Sequence, residues 1–442
     1  MSDASDPMLP GMSVPTIPPR GDDDPPARYE TANRTQIELT PTDLETLLPP
    51  GHAARLVWRF VEGLDLSAFY AAIKAREGRA GRPAIDPKIL MALWLYATID
   101  GVGSARELDR LCYGHDAYRW IRGGVSVNYH TLSAFRVAQQ AALDDVLTQS
   151  IATLRHRGIV TLARVAQDGT RVRASAGVGS FRREGTLREC LKRAQQLVER
   201  TKRQADGGLT RTEAAHARAA ADRLARVEEA LAALPAVVAA KARTASKRKQ
   251  GEPKEARVST TDPDARVMKM ADGGYRPAYN VQFATDHDSD VIVGVAVTTA
   301  GSDQQELLPM LAQLETRVGR PDTLLVDGGY VAHAGIDEIT ARGVRLLAPV
   351  PRRPGSIDPV PVQRTDSPAV VAWRARMQTD EAKQEYRHRG AIAERINADA
   401  RTHRTLGRVA VRGLAKIQAC VLWVALAHNL TRSMELVPHL MT

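Results

Sequence analysis

Three acidic residues stand far apart in this chain, each where a rigid element could end or present a face: Asp168 in Leu162-Ala-Arg-Val-Ala-Gln-Asp-Gly-Thr170, Asp327 in Thr323-Leu-Leu-Val-Asp-Gly-Gly-Tyr330, and Glu394 in the run from Tyr386 to Arg401. In-line displacement at a phosphodiester needs its attacking and leaving oxygens held by two hard cations about 3.5–4 Å apart. Such cations take carboxylate oxygens. Magnesium keeps several of its waters, so a few Asp and Glu suffice if strand ends or a helix face deliver them to one point.

Asp168 follows an extended run, Val160 to Gln167, and precedes Gly169 and a second short β-type run, Arg171 to Ser175. The pattern predicts a strand, a turn at Asp-Gly and a return strand. Thr323 to Val326 is uncharged and apolar, as in a strand buried on both faces, with Asp327 at its carboxyl end. Ligands collect at such ends in open α/β sheets.

Asp-Gly-Gly-Tyr occurs twice, at Asp272 to Tyr275 and at Asp327 to Tyr330. The first copy lies between Arg266–Met270, whose charges suit a half-exposed strand, and Tyr279–Phe283, so Gly273 and Gly274 read as a hairpin turn. The second follows an uncharged strand and precedes a helical stretch, His333 to Arg342. Strand-end placement favours Asp327 over Asp272 as a metal ligand.

The third carboxylate is helical. Asp380 to Arg401 holds no proline, and Gly390 is its only weak helix former. With Tyr386 at zero, Arg389 falls at about −60°, Glu394 at about +80° and Arg401 at about +60°. Two guanidinium groups and a phenol beside a carboxylate suit a metal site laid against a phosphate backbone. The alternative is a solvated face of (i, i+4) ion pairs.

Asp168-Gly-Thr, Asp327-Gly-Gly-Tyr and the run Tyr386, Arg389, Glu394, Arg401 together resemble the DDE transposases of bacterial insertion sequences, whose third carboxylate lies in a tyrosine-arginine-glutamate-lysine signature. The likeness spans most of residues 37–432 and includes the closing segment Val411 to Lys416. The commonest signature has three residues between arginine and glutamate and ends in lysine. Here there are four, and the run ends in Arg401. Arginine keeps a cation for phosphate but replaces a point charge by a planar fork.

The resemblance implies an α/β ribonuclease-H-like catalytic domain, a mixed sheet with flanking helices, over residues 158–432. It also implies Mg2+ dependence with Mn2+ as substitute, hydrolysis at an element's ends, and transfer of the freed 3′ hydroxyl to target DNA. Asp168, Asp327 and Glu394 would be the catalytic metal ligands, Arg389 and Arg401 would hold phosphates, and Tyr386 would stack on or hydrogen-bond a displaced nucleotide. Double-stranded DNA, as transposon ends and target, is the implied partner, and synapsis of two ends implies a homodimer.

Composition agrees. The chain has 442 residues, 43% of them hydrophobic, enough for two or three domains. Its net charge of +10 suits a polyanionic partner. Phe181 to Gln250 holds 17 Lys or Arg against 8 Asp or Glu, so nearly all the excess lies in one segment. Rich in Ala, Leu and Glu and interrupted at Gly207-Gly208 and Pro235, residues 181–252 read as a basic helical hairpin inserted after the second strand of the catalytic domain. Lys247-Arg248-Lys249 would close it as a basic loop on DNA phosphates, with affinity falling steeply in salt. A charged arm used in self-association is the other reading.

Residues 1–36 form a Pro/Asp-rich tail expected to be disordered, with no signal peptide, and 433–442 a second tail. Residues 37–157 read as an all-α DNA-binding domain. Start signals occur at Thr40–Glu45, and helices are expected at Ala53–Gly63, Leu66–Lys74, Pro87–Ile99, Ala105–Leu111, Ala117–Arg122 and Thr131–Arg157. A helix-turn-helix could place Ser133 and Arg136, exposed, in a base-reading first turn after Val127–His130. After the insertion the order expected is strands Ala278–Ala284 and Val291–Thr298, helix Gln304–Val318, the Asp327 strand, a helix, strand Val344–Val350, and helices Asp380–Arg401 and Leu414–Leu430. The last is read as core rather than a partner groove.

Three unpaired cysteines point to a reducing cytoplasm, with association to the nucleoid, and no apolar run reaches membrane-spanning length. A DNA-binding repressor of transposition would explain the charge without needing the carboxylates. A ribonuclease-H-like nuclease or resolvase would explain the carboxylates without the Tyr386-Arg389-Arg401 face or the basic arm.

Overall fold

The computed structural model describes residue 35 and residues 43–75, 78, 82–203, 210–247, 255–352 and 361–436. The expected amino-terminal tail apart from residue 35, the Gly207-Gly208 break, Arg248, Lys249 and residues 437–442 lie outside them.

Helices come first: α1 (Ala53–Glu62), α2 (Ser67–Ala71), α3 (Pro87–Ile99), α4 (Ala105–Gly114), α5 (Asp116–Arg122), α6 (Tyr129–Val137) and α7 (Gln140–His156). Their starts are chemically marked. His52, Asp86, Ser104, His115 and Asn128 each accept a hydrogen bond from a backbone N–H of the first turn. The expected helix Thr131–Arg157 is two helices, parted at Ala138 and Gln139, and the start signals at Thr40–Glu45 lead only into a 3-10 turn, Glu45–Leu47.

The sheet opens with β1 (Arg164–Arg173). Two residues, β2 (Phe181–Arg182), then pair antiparallel with β3 (Val258–Ser259) and pinch the base of a helical hairpin, α8 (Glu184–Arg203) and α9 (Arg211–Lys247). Contrary to the sequence reading, α9 runs through Pro235 without ending. The arm has a small core of its own, Leu187, Ala230, Leu234, Val237, Ala256 and Val258.

The chain then returns as β4 (Arg266–Lys269), β5 (Tyr275–Asp286), β6 (Ile292–Thr298), α10 (Leu307–Arg317), β7 (Thr323–Leu325), α11 (His333–Ala341) and β8 (Arg345–Leu347). Four helices close it: α12 (Pro368–Arg376), α13 (Asp380–Arg387), α14 (Arg389–Thr402) and α15 (Leu414–Leu436). β5 carries β1 antiparallel on one edge and both β6 and β4 on the other, while β7 and β8 continue parallel from β1. Antiparallel strands on one side of β1 and parallel strands on the other make the mixed sheet a ribonuclease-H-like one.

α15 is the core helix. It is long and apolar enough to cross a membrane, yet from Ile417 to Leu430 its residues, all but Gln418, are buried against β6, α3 and α7. Asp264 Oδ2 accepts from Leu414 N at 2.8 Å and caps its first turn. Asn429 answers both the N–H and the C=O of Ile292 at 2.8 Å, satisfying the outer edge of β6. Trp423 Nε1 donates to Arg136 O at 2.9 Å. Sheet and amino-terminal helices thus share one hydrophobic core. The three cysteines are free.

Candidate metal and DNA site

β1 differs from expectation at its most important residue. Asp168-Gly169 is not a turn: one continuous strand passes through it, paired to β5 from Val165↔Asp286 to Arg173↔Ala278. The glycine is needed for packing instead. A Cβ on Gly169 would stand 2.4 Å from Gln282 Nε2 and 2.7 Å from Asp303 Oδ1.

Alternation along β1 separates two polar layers. On one face lie Gln167, Gly169 and Arg171 over a buried network. Asp303 Oδ1 accepts from Asn280 Nδ2 and Gln282 Nε2, each at 2.7 Å, and its Oδ2 from Arg171 Nη2 at 3.0 Å. Burial alone would raise the Asp303 carboxyl, but these donors win and hold it below the ordinary value. Gln282 Oε1 accepts from Gln167 Nε2 at 3.2 Å and from the Tyr330 hydroxyl.

On the opposite face, Asp168 meets α14. Its Oδ1 accepts from Arg389 Nη2 at 2.8 Å and its Oδ2 from Asn397 Nδ2, also at 2.8 Å. Arg389 Nη2 reaches Gln167 O as well, at 3.1 Å. Burial raises the Asp168 carboxyl; Arg389 opposes this and nearby Asp327 adds to it.

The second aspartate arrives by register. β1 and β7 pair in parallel as Arg164↔Thr323, Val165↔Leu324 and Ala166↔Leu325, and two residues further along are Asp168 and Asp327. Asp327 caps the 3-10 turn Gly328–Tyr330, its Oδ1 accepting from Gly329 N at 2.6 Å. Tyr386 donates from its hydroxyl to Val326 O at 3.0 Å, beside that turn. Burial raises the Tyr386 phenol, with Arg389 opposing. Glu385, its neighbour, takes both oxygens to Arg345 Nη2 of β8, at 2.6 and 2.7 Å, and anchors α13 to the sheet.

The expected helix from Asp380 to Arg401 is broken at His388 into α13 and α14. Arg389, Ala393 and Asn397, spaced four apart, are buried and form the face that meets β1. Glu394 lies about 60° round the helix from Asn397. It is exposed; among the described residues its side chain makes no hydrogen bond or ion pair, and no three His, Cys, Asp or Glu are grouped closely enough to hold a metal. Arg401 is also exposed, its Nε donating to Asn397 O at 3.1 Å. The structure therefore assembles Asp168, Asp327, Tyr386 and Arg389, and leaves Glu394 and Arg401 at the open rim.

The donor set suits a hard divalent cation. Asp168 and Asp327 share a register on adjacent parallel strands, and Asn397 Oδ1, an amide oxygen of the residue that bonds Asp168, is buried without a partner among the described residues. Asn397 was not singled out from sequence, although its place eight residues after Arg389 on one helical stripe was legible.

One other expectation changes, and one falls largely outside the described residues. Arg136, expected exposed for base reading, is only 9% accessible; its Nη1 donates to Gly103 O at 2.6 Å and its guanidinium lies 4.7 Å from the Trp94 ring centroid. It is a buried brace, while Ser133 is exposed. Lys247 is the last residue of α9, and Arg248 and Lys249 lie outside the described residues.

Residues 236–430 match the family described as Transposase DDE domain, and residues 42–138 match Transposase domain (DUF772). The first match contains Asp327 and Glu394 and begins after Asp168. Together the two matches support a DDE transposase of an insertion sequence. Comparisons with curated proteins and with solved structures returned no match.

Proposed function

We propose that this transposase binds the ends of its insertion sequence as double-stranded DNA, cleaves them with divalent metal, and joins the freed 3′ hydroxyl to target DNA. Asp168, Asp327 and Glu394 are its catalytic and metal-binding triad. The observation that carries this is the β1/β7 register, which sets Asp168 beside Asp327 under a helix presenting Arg389.

Mg2+, with Mn2+ as substitute, would supply activation of water and stabilisation of the leaving oxygen when bound. Asp168 and Asp327 provide hard oxygen ligands from two parallel strands. Glu394, exposed on α14, would complete the set from the DNA side. Arg389 and Arg401 hold backbone phosphates, and Tyr386, tethered to Val326 O, offers its ring edge to a nucleotide near the cut. Lys247, Arg248 and Lys249 of the arm add sequence-independent phosphate contacts. The assembly acts as a homodimer on two ends, in the cytoplasm on nucleoid DNA.

The test is excision from a supercoiled plasmid carrying the gene with its flanking DNA. Wild type in Mg2+ or Mn2+ should cut at discrete flanking positions, and Asp168→Ala and Glu394→Ala should not cut while still binding. Binding by wild type without cuts would replace this reading by a repressor. Cuts without joining to target DNA would replace it by a nuclease.

A further inference from the structure

Two side chains hold Asp168, and each keeps one buried polar atom unused. Arg389, 8% exposed, spends Nη2 on Asp168 and Gln167 while its Nε has no hydrogen-bond partner among the described residues. Asn397, 6% exposed, spends Nδ2 on Asp168 while its Oδ1 has none. An unanswered buried donor or acceptor costs about 1–3 kcal/mol, so both groups are poised for a ligand the protein itself does not supply.

The two spare atoms differ in sign. Nε is a donor, and with Nη2 it forms the side of a guanidinium fork that takes two oxygens of one phosphate. Oδ1 is a neutral hard acceptor, suited to a divalent cation. Meanwhile both oxygens of Asp168 are occupied, Oδ1 by a cation that competes directly with any metal. A metal at Asp168 Oδ1 and the guanidinium on the same oxygen repel one another and compete for its negative charge.

We propose that Arg389 couples metal loading to DNA. A backbone phosphate draws the guanidinium off Asp168 Oδ1 and frees that oxygen for the cation, while Asn397 keeps Oδ2 in place and turns its free amide oxygen to the same cation. Arg389 is then a gate as well as a phosphate contact, and Asn397 a positioning residue for Asp168. Without DNA the site holds metal weakly, which limits stray hydrolysis. By linkage, metal must tighten DNA binding by the factor by which DNA tightens metal binding. The inference rests on the proposed reading of Asp168 as a metal ligand.

The experiment is Mn2+ titration of the full chain by the spectrum of free Mn2+, with and without a short mixed-sequence duplex. Asp168→Ala with the same duplex serves to subtract Mn2+ held by DNA. Wild type should bind Mn2+ about tenfold more tightly with duplex, within the usual range of coupling. Arg389→Gln should bind Mn2+ without duplex nearly as tightly as wild type does with it, and duplex should then add less than about twofold. Asn397→Ala should weaken Mn2+ about 10–100-fold with and without duplex, leaving metal-free DNA affinity unchanged, and Asn397→Asp should restore part of it.

Should Arg389→Gln fail to fold, Arg389→Lys keeps the charge without the fork and should show reduced coupling. Equal Mn2+ affinity with and without duplex in wild type, or full coupling in both Arg389 variants, overturns the proposal. Mn2+ binding indifferent to Asp168→Ala in every state overturns instead the assignment of the metal site.

Discussion

Asp-Gly-Gly-Tyr appears twice in this chain and does two unrelated things. At Asp272 the carboxylate accepts from Gly274 N at 3.0 Å and from Arg276 at 2.7 Å, and Gly273 takes φ +80° at the tip of the β4–β5 hairpin. At Asp327 the carboxylate makes the same first bond, to the N–H of the glycine two residues on, but the turn ends a buried parallel strand. The tyrosines diverge further. Tyr275 is 66% exposed, whereas Tyr330 is 1% exposed and bonds Gln282 beneath the site. One local turn chemistry, Asp bonding two residues ahead, serves both places. What separates a hairpin tip from a proposed metal ligand is the strand that delivers it.

Breaking each copy in turn should give unequal results. Asp327→Ala should abolish cleavage in the plasmid assay, by about a thousandfold or more on the scale of electrostatic catalytic groups, while Asp272→Ala stays within about twofold of wild type. Comparable losses from both would remove the distinction.

Next in size is the tyrosine pair. Tyr330→Ala should cost about 3–5 kcal/mol in denaturant unfolding, the range for a buried aromatic, and Tyr275→Ala almost nothing. Tyr330→Phe isolates the hydroxyl and should cost about 1–3 kcal/mol, because Gln282 loses a buried partner.

The glycines sharpen the contrast. A Cβ on Gly329 would stand 2.9 Å from Asp327 Oδ1, so Gly329→Ala should shift that carboxylate and lower cleavage at nearly constant stability. A Cβ on Gly273 meets nothing within 4 Å but sits at positive φ, so Gly273→Ala should cost about 1 kcal/mol of stability at unchanged activity.

The smallest effect is on pH. Burial raises the Asp168 carboxyl, whereas Arg276 hydrogen-bonds the exposed Asp272 and lowers it. A raised carboxyl binds its proton more tightly folded than unfolded, so its contribution to stability falls as pH rises from the unfolded value through the folded one. Metal competes with that proton. Mn2+ affinity should therefore fall, as pH drops, at a higher pH than the ordinary aspartate value of about 3.9. Asp272 contributes the opposite slope, present above its unfolded value and lost as pH falls, and Asp272→Asn should leave the Mn2+ profile unmoved.

Much of the frame was legible. The strand at Thr323, the hairpin at Gly273-Gly274, the helical arm and the core helix from Leu414 all followed from periodicity and turn chemistry. The errors share a cause. Asp168-Gly169 carries a common turn pair, yet nine residues of pairing to β5 hold the strand through it, and the glycine answers Gln282 and Asp303. Pro235 was read as a break, but α9 continues through it. Arg136 reads in sequence as a base contact from a candidate helix-turn-helix after Val127–His130; here Trp94 and Gly103 O take it inside.

The sequence by itself determined the kinds of chemistry present: which elements form, where carboxylates and guanidinium groups occur, and which apolar stripes must be covered. Only the tertiary structure decided that Asp168 and Asp327 share a register, that Arg389 and Asn397 rather than Glu394 close on Asp168, and that a polar layer under Tyr330 supports the site. The reason is geometric. Helical and strand periods specify which side chains share a face of their own element, but which face meets which neighbour depends on strand order and helix docking, set by burial across the whole core.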